Sequence, residues 1–312
     1  MLSEALFARL KLIISSVNGE MGICIIDLET GGEMGFNPDL LLPMASVCKV
    51  PILVTAYRMV EAGLLDIAER VEITEPTRCF GSGLFNTFDI GLLPTLHDLL
   101  LMMIVVSDNA ATDLVLSKTS VGKVTQTMQE LGLRDIHVDR TIAALLSDFF
   151  VALEPGLADM RYGEWDSYCD KFVGLRERSH DAKIVREAVN LSTAGRDVAS
   201  AKHIARLLGQ IATGDCASRD SCDAMLQILG RQVLNGRLPR ALPPFTRFPH
   251  KTGTLGVGAV VNDAGVLFLN DRPVAAIAVL SRDLKDPVQV TESNMAEIGR
   301  AVYDSFATNE PV

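Results

Sequence analysis

The spacing of apolar positions changes along the chain, and each change marks a different element. From Phe7 to Val17 the apolar residues recur at helical spacing with Arg9 and Lys11 on the polar side, which predicts an amphipathic helix. Met21-Gly22-Ile23-Cys24-Ile25-Ile26-Asp27-Leu28 is rich in β-branched residues and runs into Glu29-Thr30-Gly31-Gly32. That is a strand entering a hairpin, with Glu33–Asn37 as the return strand. Helical patterns then dominate from Ser46, whose helix is expected to run to about Leu65, as far as Leu229. Loops at Gly81-Ser82-Gly83 and near Gly91–Pro94 interrupt them. From Gly258 the reading returns to strands, Ala259–Leu269 and Val274–Ser281, joined by Asn270-Asp271-Arg272-Pro273. A last helix covers about Glu292–Phe306. Strands at both ends of a helical middle predict one antiparallel sheet in which the termini meet. The expected division is residues 1–45 with 230–312 as a sheet lobe, and 46–229 as a helical lobe.

Composition narrows the function classes. A chain of 312 residues with 48% hydrophobic and 22% charged residues can bury a full core, as a soluble enzyme does. A net charge of -10 and a pI near 5.0 disfavour nucleic acid and anionic membrane as partners. The longest apolar run, Leu99–Val106, is far short of the roughly 20 residues that cross a bilayer. Met1-Leu2-Ser3-Glu4-Ala5-Leu6 lacks the basic start, apolar core and cleavage site of an export leader, so a cytoplasmic location and reduced thiols are expected. The cysteines are scattered without metal-ligand spacing, and His97, His137, His180 and His203 are dispersed. No metal or cofactor is therefore expected, and the expected partner is a small-molecule substrate. Cys48 is expected to pack inward, and Cys216 and Cys222 to be exposed loop and helix-start thiols.

Three short motifs carry candidate chemistry. In Pro43-Met44-Ala45-Ser46-Val47-Cys48-Lys49, Ser46 and Lys49 stack on one face of a first helical turn. A serine hydroxyl needs a base, and a lysine desolvated beside it can act as one. Ser107-Asp108-Asn109 is a polar wedge between two buried segments, costly unless its groups bond to each other or to a ligand. Its hydroxyl could relay a proton and its amide bind a carbonyl, while a helix N-cap is the plainer use of Ser107 or Asp108. His250-Lys251-Thr252-Gly253-Thr254 sits at a strand, where a cation, a hydroxyl and a close-approach glycine suit a carboxylate or carbonyl. His250 itself is expected to be a packed or solvent-facing imidazole.

The ordered trio Ser-x-x-Lys, Ser-Asp-Asn, Lys-Thr-Gly resembles the signature of class A β-lactamases and penicillin-binding proteins, and nearly the whole chain fits that superfamily. The resemblance implies an α/β sandwich: a five-stranded antiparallel sheet flanked by terminal helices, plus an all-helical lobe with the site in the cleft between. It implies Ser46 as acylated nucleophile, Lys49 as its base and Ser107 as proton relay. Asn109 would contact substrate amide or Lys49. Lys251, Thr252, Gly253 and Thr254 would form the recognition strand, and the oxyanion hole would be the backbone N–H groups of Ser46 and Thr254. Ser82 joins the candidates because Gly81-Ser82-Gly83 looks like a loop found in other members.

The chain departs from the family pattern after Val138-Asp139-Arg140. Where class A enzymes carry a deacylating glutamate, this chain reads Thr141-Ile142-Ala143-Ala144-Leu145-Leu146, and an aliphatic side chain cannot deprotonate water. A long insertion follows, about 147–187, holding the only tryptophan. It is expected to be a lid or a packed helical elaboration, with Glu164, Asp166 or Glu154 as replacement bases and Asn190 as a further cleft residue. The resemblance thus implies a serine hydrolase or acyltransferase acting on an amide, ester or lactam. A β-lactamase with a relocated base, a penicillin-binding protein, or a non-catalytic binder are the alternatives.

Overall fold

The fold is described from a computed structural model covering residues 2–308. In chain order the first part comprises α1 (Glu4–Ser15), β1 (Glu20–Asp27), β2 (Glu33–Phe36) and β3 (Leu41–Pro43). A 3₁₀ turn (Ala45–Cys48) leads into α2 (Lys49–Glu61), followed by α3 (Leu96–Val105), α4 (Asn109–Thr119) and α5 (Val121–Glu130). The middle contains α6 (Ile142–Leu153), α7 (Trp165–Lys171), α8 (Leu175–His180) and α9 (Ala182–Ser192). Then come β4 (Val198–Ser200), α10 (Ala201–Thr213), α11 (Arg219–Leu229), β5 (His250–Leu255), β6 (Val260–Leu269), β7 (Arg272–Arg282) and α12 (Val288–Ala307).

Five strands form one antiparallel sheet in the order β2-β1-β7-β6-β5, so the N-terminal hairpin pairs with the C-terminal strands as expected. Side-chain alternation explains why β1 and β7 are apolar on both faces. Ile23, Ile25, Ile277 and Val279 point to a core shared with α1 and α12. Their neighbours Cys24, Ile26, Ala276 and Ala278 point to the core of the helical side, where α10 lies against the sheet through Ile204, Leu207 and Ile211. The alanines of β7 let that helix sit close. The last helix begins at Val288, earlier than its apolar periodicity suggests, and α2 ends at Glu61. Cys216 and Cys222 are not exposed: both are buried, with their sulfurs 3.7 Å apart.

The segment after Asp139-Arg140 is largely helical, in α6 to α9, with a 3₁₀ turn at Pro155–Leu157 and loops between the helices. Its two ends are locked together. Asp139 N–H donates to Asp197 Oδ1 at 2.9 Å and Asp197 N–H returns a bond to Asp139 Oδ2 at 2.8 Å. Arg140 Nε donates to Asp197 Oδ2 at 2.5 Å, its Nη2 donates to the Ser192 carbonyl at 2.7 Å, and it also pairs with Asp148. At the N-terminus of α6, Asp113 accepts the Ile142 and Ala143 N–H groups at 2.7 and 2.8 Å, satisfying two otherwise unpaired donors.

The Arg140 and Asp197 side chains are only 4% and 6% exposed, so removing one strands a buried charge. Asp197→Ala is expected to cost about 3–5 kcal/mol in urea unfolding and to make residues 141–196 the first site of limited proteolysis. A loss under about 1 kcal/mol, the range of an exposed ion pair, would show that the clamp does not hold the insertion.

Candidate active site

Ser46 is placed by a chain of backbone constraints. β3 pairs with β4, and Asn262 on β6 donates from Nδ2 to the Pro43 and Met44 carbonyls at 2.8 and 3.0 Å. Ala45 then takes φ 47°, a left-handed conformation unusual for a residue with a Cβ, and the chain turns into the 3₁₀ turn carrying Ser46. Side chains at i and i+3 eclipse in 3₁₀ geometry, which puts Lys49, the residue after the turn, on the same face of the chain as Ser46. The β5 strand crosses against this turn at Gly253: a Cβ there would lie 2.8 Å from the Met44 carbonyl oxygen and 3.2 Å from the Ser46 nitrogen. Only glycine allows that approach.

Ser46 is partly exposed and lines a cavity of about 730 Å³, whereas Lys49 is entirely buried. Lys49 Nζ donates to the Ser107 carbonyl at 2.7 Å, to Ser107 Oγ at 3.1 Å and to Asn109 Oδ1 at 2.8 Å. Lys251 Nζ, also entirely buried, donates to the same Ser107 Oγ at 3.0 Å and to the Thr252 carbonyl at 2.8 Å. One serine hydroxyl thus holds two lysine amines. Burial lowers the Lys49 pKa from its ordinary 10.5 to about 8. Burial likewise pushes Lys251 well below its ordinary value, and the neighbouring Lys49 charge adds to the effect.

Each polar residue of the wedge has a separate task. Ser107 adopts φ 56° to present both its carbonyl and hydroxyl to the amines. Asp108 caps α4 through the Ala111 N–H at 2.8 Å and accepts Leu84 and Phe85 N–H at 2.6 and 2.9 Å, pinning the preceding loop. That loop must carry glycines. A Cβ on Gly83 would fall 2.4 Å from the Asp108 carboxyl, and one on Gly81 2.7 Å from Asn109 Nδ2. Ser82 Oγ donates to the Ser107 carbonyl at 2.7 Å, and Asn109 Nδ2 donates to the Phe80 carbonyl at 2.8 Å. Thr252 and Thr254 line the cavity, while Lys251 lies beneath it, against Ser107.

The structure therefore brings Ser46, Lys49, Ser82, Ser107, Asn109 and the Lys251–Thr254 strand together. It leaves out the remaining candidates. Glu164 accepts the Arg161 N–H, Asp166 pairs with Arg176 at 2.7 Å, and Glu154 pairs with Arg178 at 2.7 Å; none of the three lines the cavity. Asn190 donates to Asp283 at 3.3 Å and borders a different cleft. No cavity-lining residue among those described carries a carboxylate; beside Ser46 the wall contributed by α6 is Ile142, Leu145, Leu146 and Phe149.

Several contributors are invisible as motifs. Asn262 aims the serine turn, and Arg237 braces β5 by donating to the Gly253 carbonyl at 2.8 Å, the Asn262 carbonyl at 2.7 Å and Thr254 Oγ1 at 2.5 Å. His180, one of the dispersed histidines, lines the cavity with its Nδ1 2.7 Å from the Arg176 carbonyl. His250 is packed, with its ring nitrogens 2.9 Å from Asp263 and 3.0 Å from Asn235. Among the described residues no group of histidine, cysteine, aspartate or glutamate is arranged to hold a metal, and no helix is long and apolar enough to cross a membrane.

Both the sequence and the fold resemble known proteins. The chain is 26% identical to a β-lactamase regulatory protein, BlaB, of Streptomyces cacaoi, over 97% of both chains. It is 22% identical to the β-lactamase VEB-1 of Pseudomonas aeruginosa over 97% of this chain and 91% of that one. Among solved structures, a β-lactamase from Sphaerobacter thermophilus superposes with a TM-score of 0.76 at 24% identity, covering 100% of each chain. The protein PBP-A superposes with a TM-score of 0.74 at 22% identity, covering 98% and 97%. These likenesses establish the five-stranded fold. A profile of the Beta-lactamase enzyme family matches residues 5–306, so the chain belongs to that family of penicillin-recognising serine hydrolases.

Proposed function

We propose that the protein acylates Ser46 with an amide, ester or lactam donor and releases that acyl group slowly to water. The observation that carries this reading is the pair of buried lysine amines meeting at Ser107 Oγ directly beneath the cavity that Ser46 lines. Neutral Lys49 takes the Ser46 proton as Oγ bonds to the carbonyl carbon. The donor's C–N or C–O bond then breaks, and the proton passes through Ser107 to the departing amine or alcohol. The Ser46 and Thr254 N–H groups serve as the oxyanion hole, with Thr252 and Thr254 orienting the donor. Lys251, tied to Ser107, assists by tuning the relay's charge.

Slow release is supported by the absence of a carboxylate from the described lining of the cavity that Ser46 shares. Attack by water on the acyl-enzyme needs a base, and that lining offers aliphatic, aromatic, hydroxyl, amide and imidazole groups but no carboxylate. A second reading has its own support: the Streptomyces cacaoi relative is named a regulatory protein, and a long-lived acyl-enzyme is a state that a lactam-responsive regulator could use. The six free thiols, five of them buried, support a reducing compartment such as the cytoplasm.

Intact-mass spectrometry after mixing with benzylpenicillin is expected to show one adduct persisting for minutes or longer. Ser46→Ala should abolish it, and Lys49→Ala should slow its formation on the order of a thousandfold or more. Rapid lactam turnover with no accumulated adduct would overturn the slow-release reading. The pH dependence follows from the amine. The active base is neutral Lys49, whose neutral fraction grows with pH and reaches half near 8. Acylation should therefore rise about tenfold per pH unit below that value and level off above it, and a profile flat from about pH 6 to 9 would remove Lys49 from the role of base.

A further inference from the structure

We infer that residues 142–171 turn the cavity into a pocket for a bulky uncharged acyl group, so that preferred donors carry a medium-length alkyl or arylalkyl chain on the carbonyl side; this rests on the acyl-enzyme reading above. The cavity lining is of two chemical kinds. Around Ser46 it is polar, with Ser107, Asn109, Thr252 and Thr254, which suits one carbonyl group and the atoms beside it. The part of the lining supplied by Phe80 and by the 142–171 segment is apolar, and includes Phe149, Phe150, Leu153 and Trp165. The aromatic rings are mutually packed, with Phe80 and Phe150 edge to face at 5.1 Å, Phe149 and Phe150 at 5.4 Å, and Phe150 and Trp165 at 5.7 Å. They nevertheless stay only partly buried, so apolar surface remains open to an occupant.

This wall is registered to the reactive end. The Phe80 carbonyl accepts from Asn109 Nδ2 at 2.8 Å, and Asn109 Oδ1 accepts from Lys49, so one amide couples the aromatic wall to the base beneath Ser46. Asp113 fixes α6 from the other side by capping its first N–H groups. The carboxylates of the insertion near this region are turned to arginines: Asp148 to Arg140 and Arg196, Glu154 to Arg178, and Asp166 to Arg176. The pocket lining therefore holds no carboxylate, and its imidazole, His180, is engaged through Nδ1 by the Arg176 carbonyl, so a cationic acyl tail would lose its hydration without a countercharge. Each methylene moved from water into it is worth roughly a fourfold gain in specificity.

The test is a series of p-nitrophenyl esters, acetate, butyrate, hexanoate and phenylacetate, read as kcat/KM with the full chain. Hexanoate and phenylacetate are expected to exceed acetate about tenfold or more. Phe150→Ala should cut the hexanoate-to-acetate ratio about fivefold, with Trp165→Leu as the second variant should the first fail to fold. An equal rate for all four esters, or a ratio unmoved in both variants, would overturn the pocket while leaving acylation of Ser46 intact. A direct readout separates the two claims, because Trp165 is the chain's only tryptophan. In Ser46→Ala, hexanamide should shift its emission saturably and acetamide should not. An emission shift with no ester reaction in the unmutated chain would refute the acyl-enzyme reading and support the apolar pocket; neither response would refute both.

Discussion

Two lysine amines buried on one serine hydroxyl impose the main constraint on this molecule. Desolvating even one ammonium is costly, and two placed around Ser107 Oγ cannot both be fully charged without strong repulsion. The fold meets this by surrounding Lys49 with three oxygen acceptors and Lys251 with two, and by allowing both pKa values to fall. Backbone strain accompanies the arrangement. Ala45 and Ser107 both sit at positive φ, a conformation costing on the order of 1–3 kcal/mol for such residues. The surrounding sheet and helices hold them there: Asn262 grips the backbone ahead of Ala45, and Asp108 ties the loop against Ser107's neighbour.

What the sequence discloses and what it hides follow from the range of each interaction. The antiparallel sheet, the helical middle and the three short motifs are legible because each is written locally. Nearly continuous apolar runs mark β6 and β7, and a serine three residues before a lysine marks the turn. The residues that make those motifs converge are not legible in the same way. Asn262 acts on carbonyls more than two hundred positions earlier, and Arg237 looks like an ordinary loop arginine until β5 and β6 lie beside it. Asp108 caps α4, as a polar residue ahead of a helix does, but its bonds to Leu84 and Phe85 depend on a loop whose path no local pattern gives.

The insertion shows the same limit from the other side. Its length and its lack of a carboxylate after Arg140 are plain in the sequence. The tempting inference that Glu164 or Asp166 replaces the missing base fails because nearby arginine and backbone donors claim those side chains first. Charged residues on short helices such as α7 and α8 find partners within the same segment. The apolar residues of α6 pack in part on α9, Leu145 with Val189 and Leu153 with Ala188, and also line the cavity.

That apolar face links selectivity to lifetime. A hydrocarbon wall beside Ser46 lowers the polarity of the cavity, which favours the neutral form of the amines below it and so favours acylation. The same wall offers water neither a base nor hydrogen-bonding partners at the face of the ester from which it must attack. An acyl chain seated against Phe150 and Trp165 would displace the remaining water and strengthen both effects. Introducing a carboxylate at Leu145 or Leu146 to speed release would therefore act against itself. Placed in that surrounding, its own pKa would rise, and the charge it did carry would raise the pKa of Lys49 and leave less of the neutral amine. On the proposed reading, fast hydrolysis would need a wetter, more polar wall as well as a base, and the described lining supplies neither a carboxylate nor a polar α6 face.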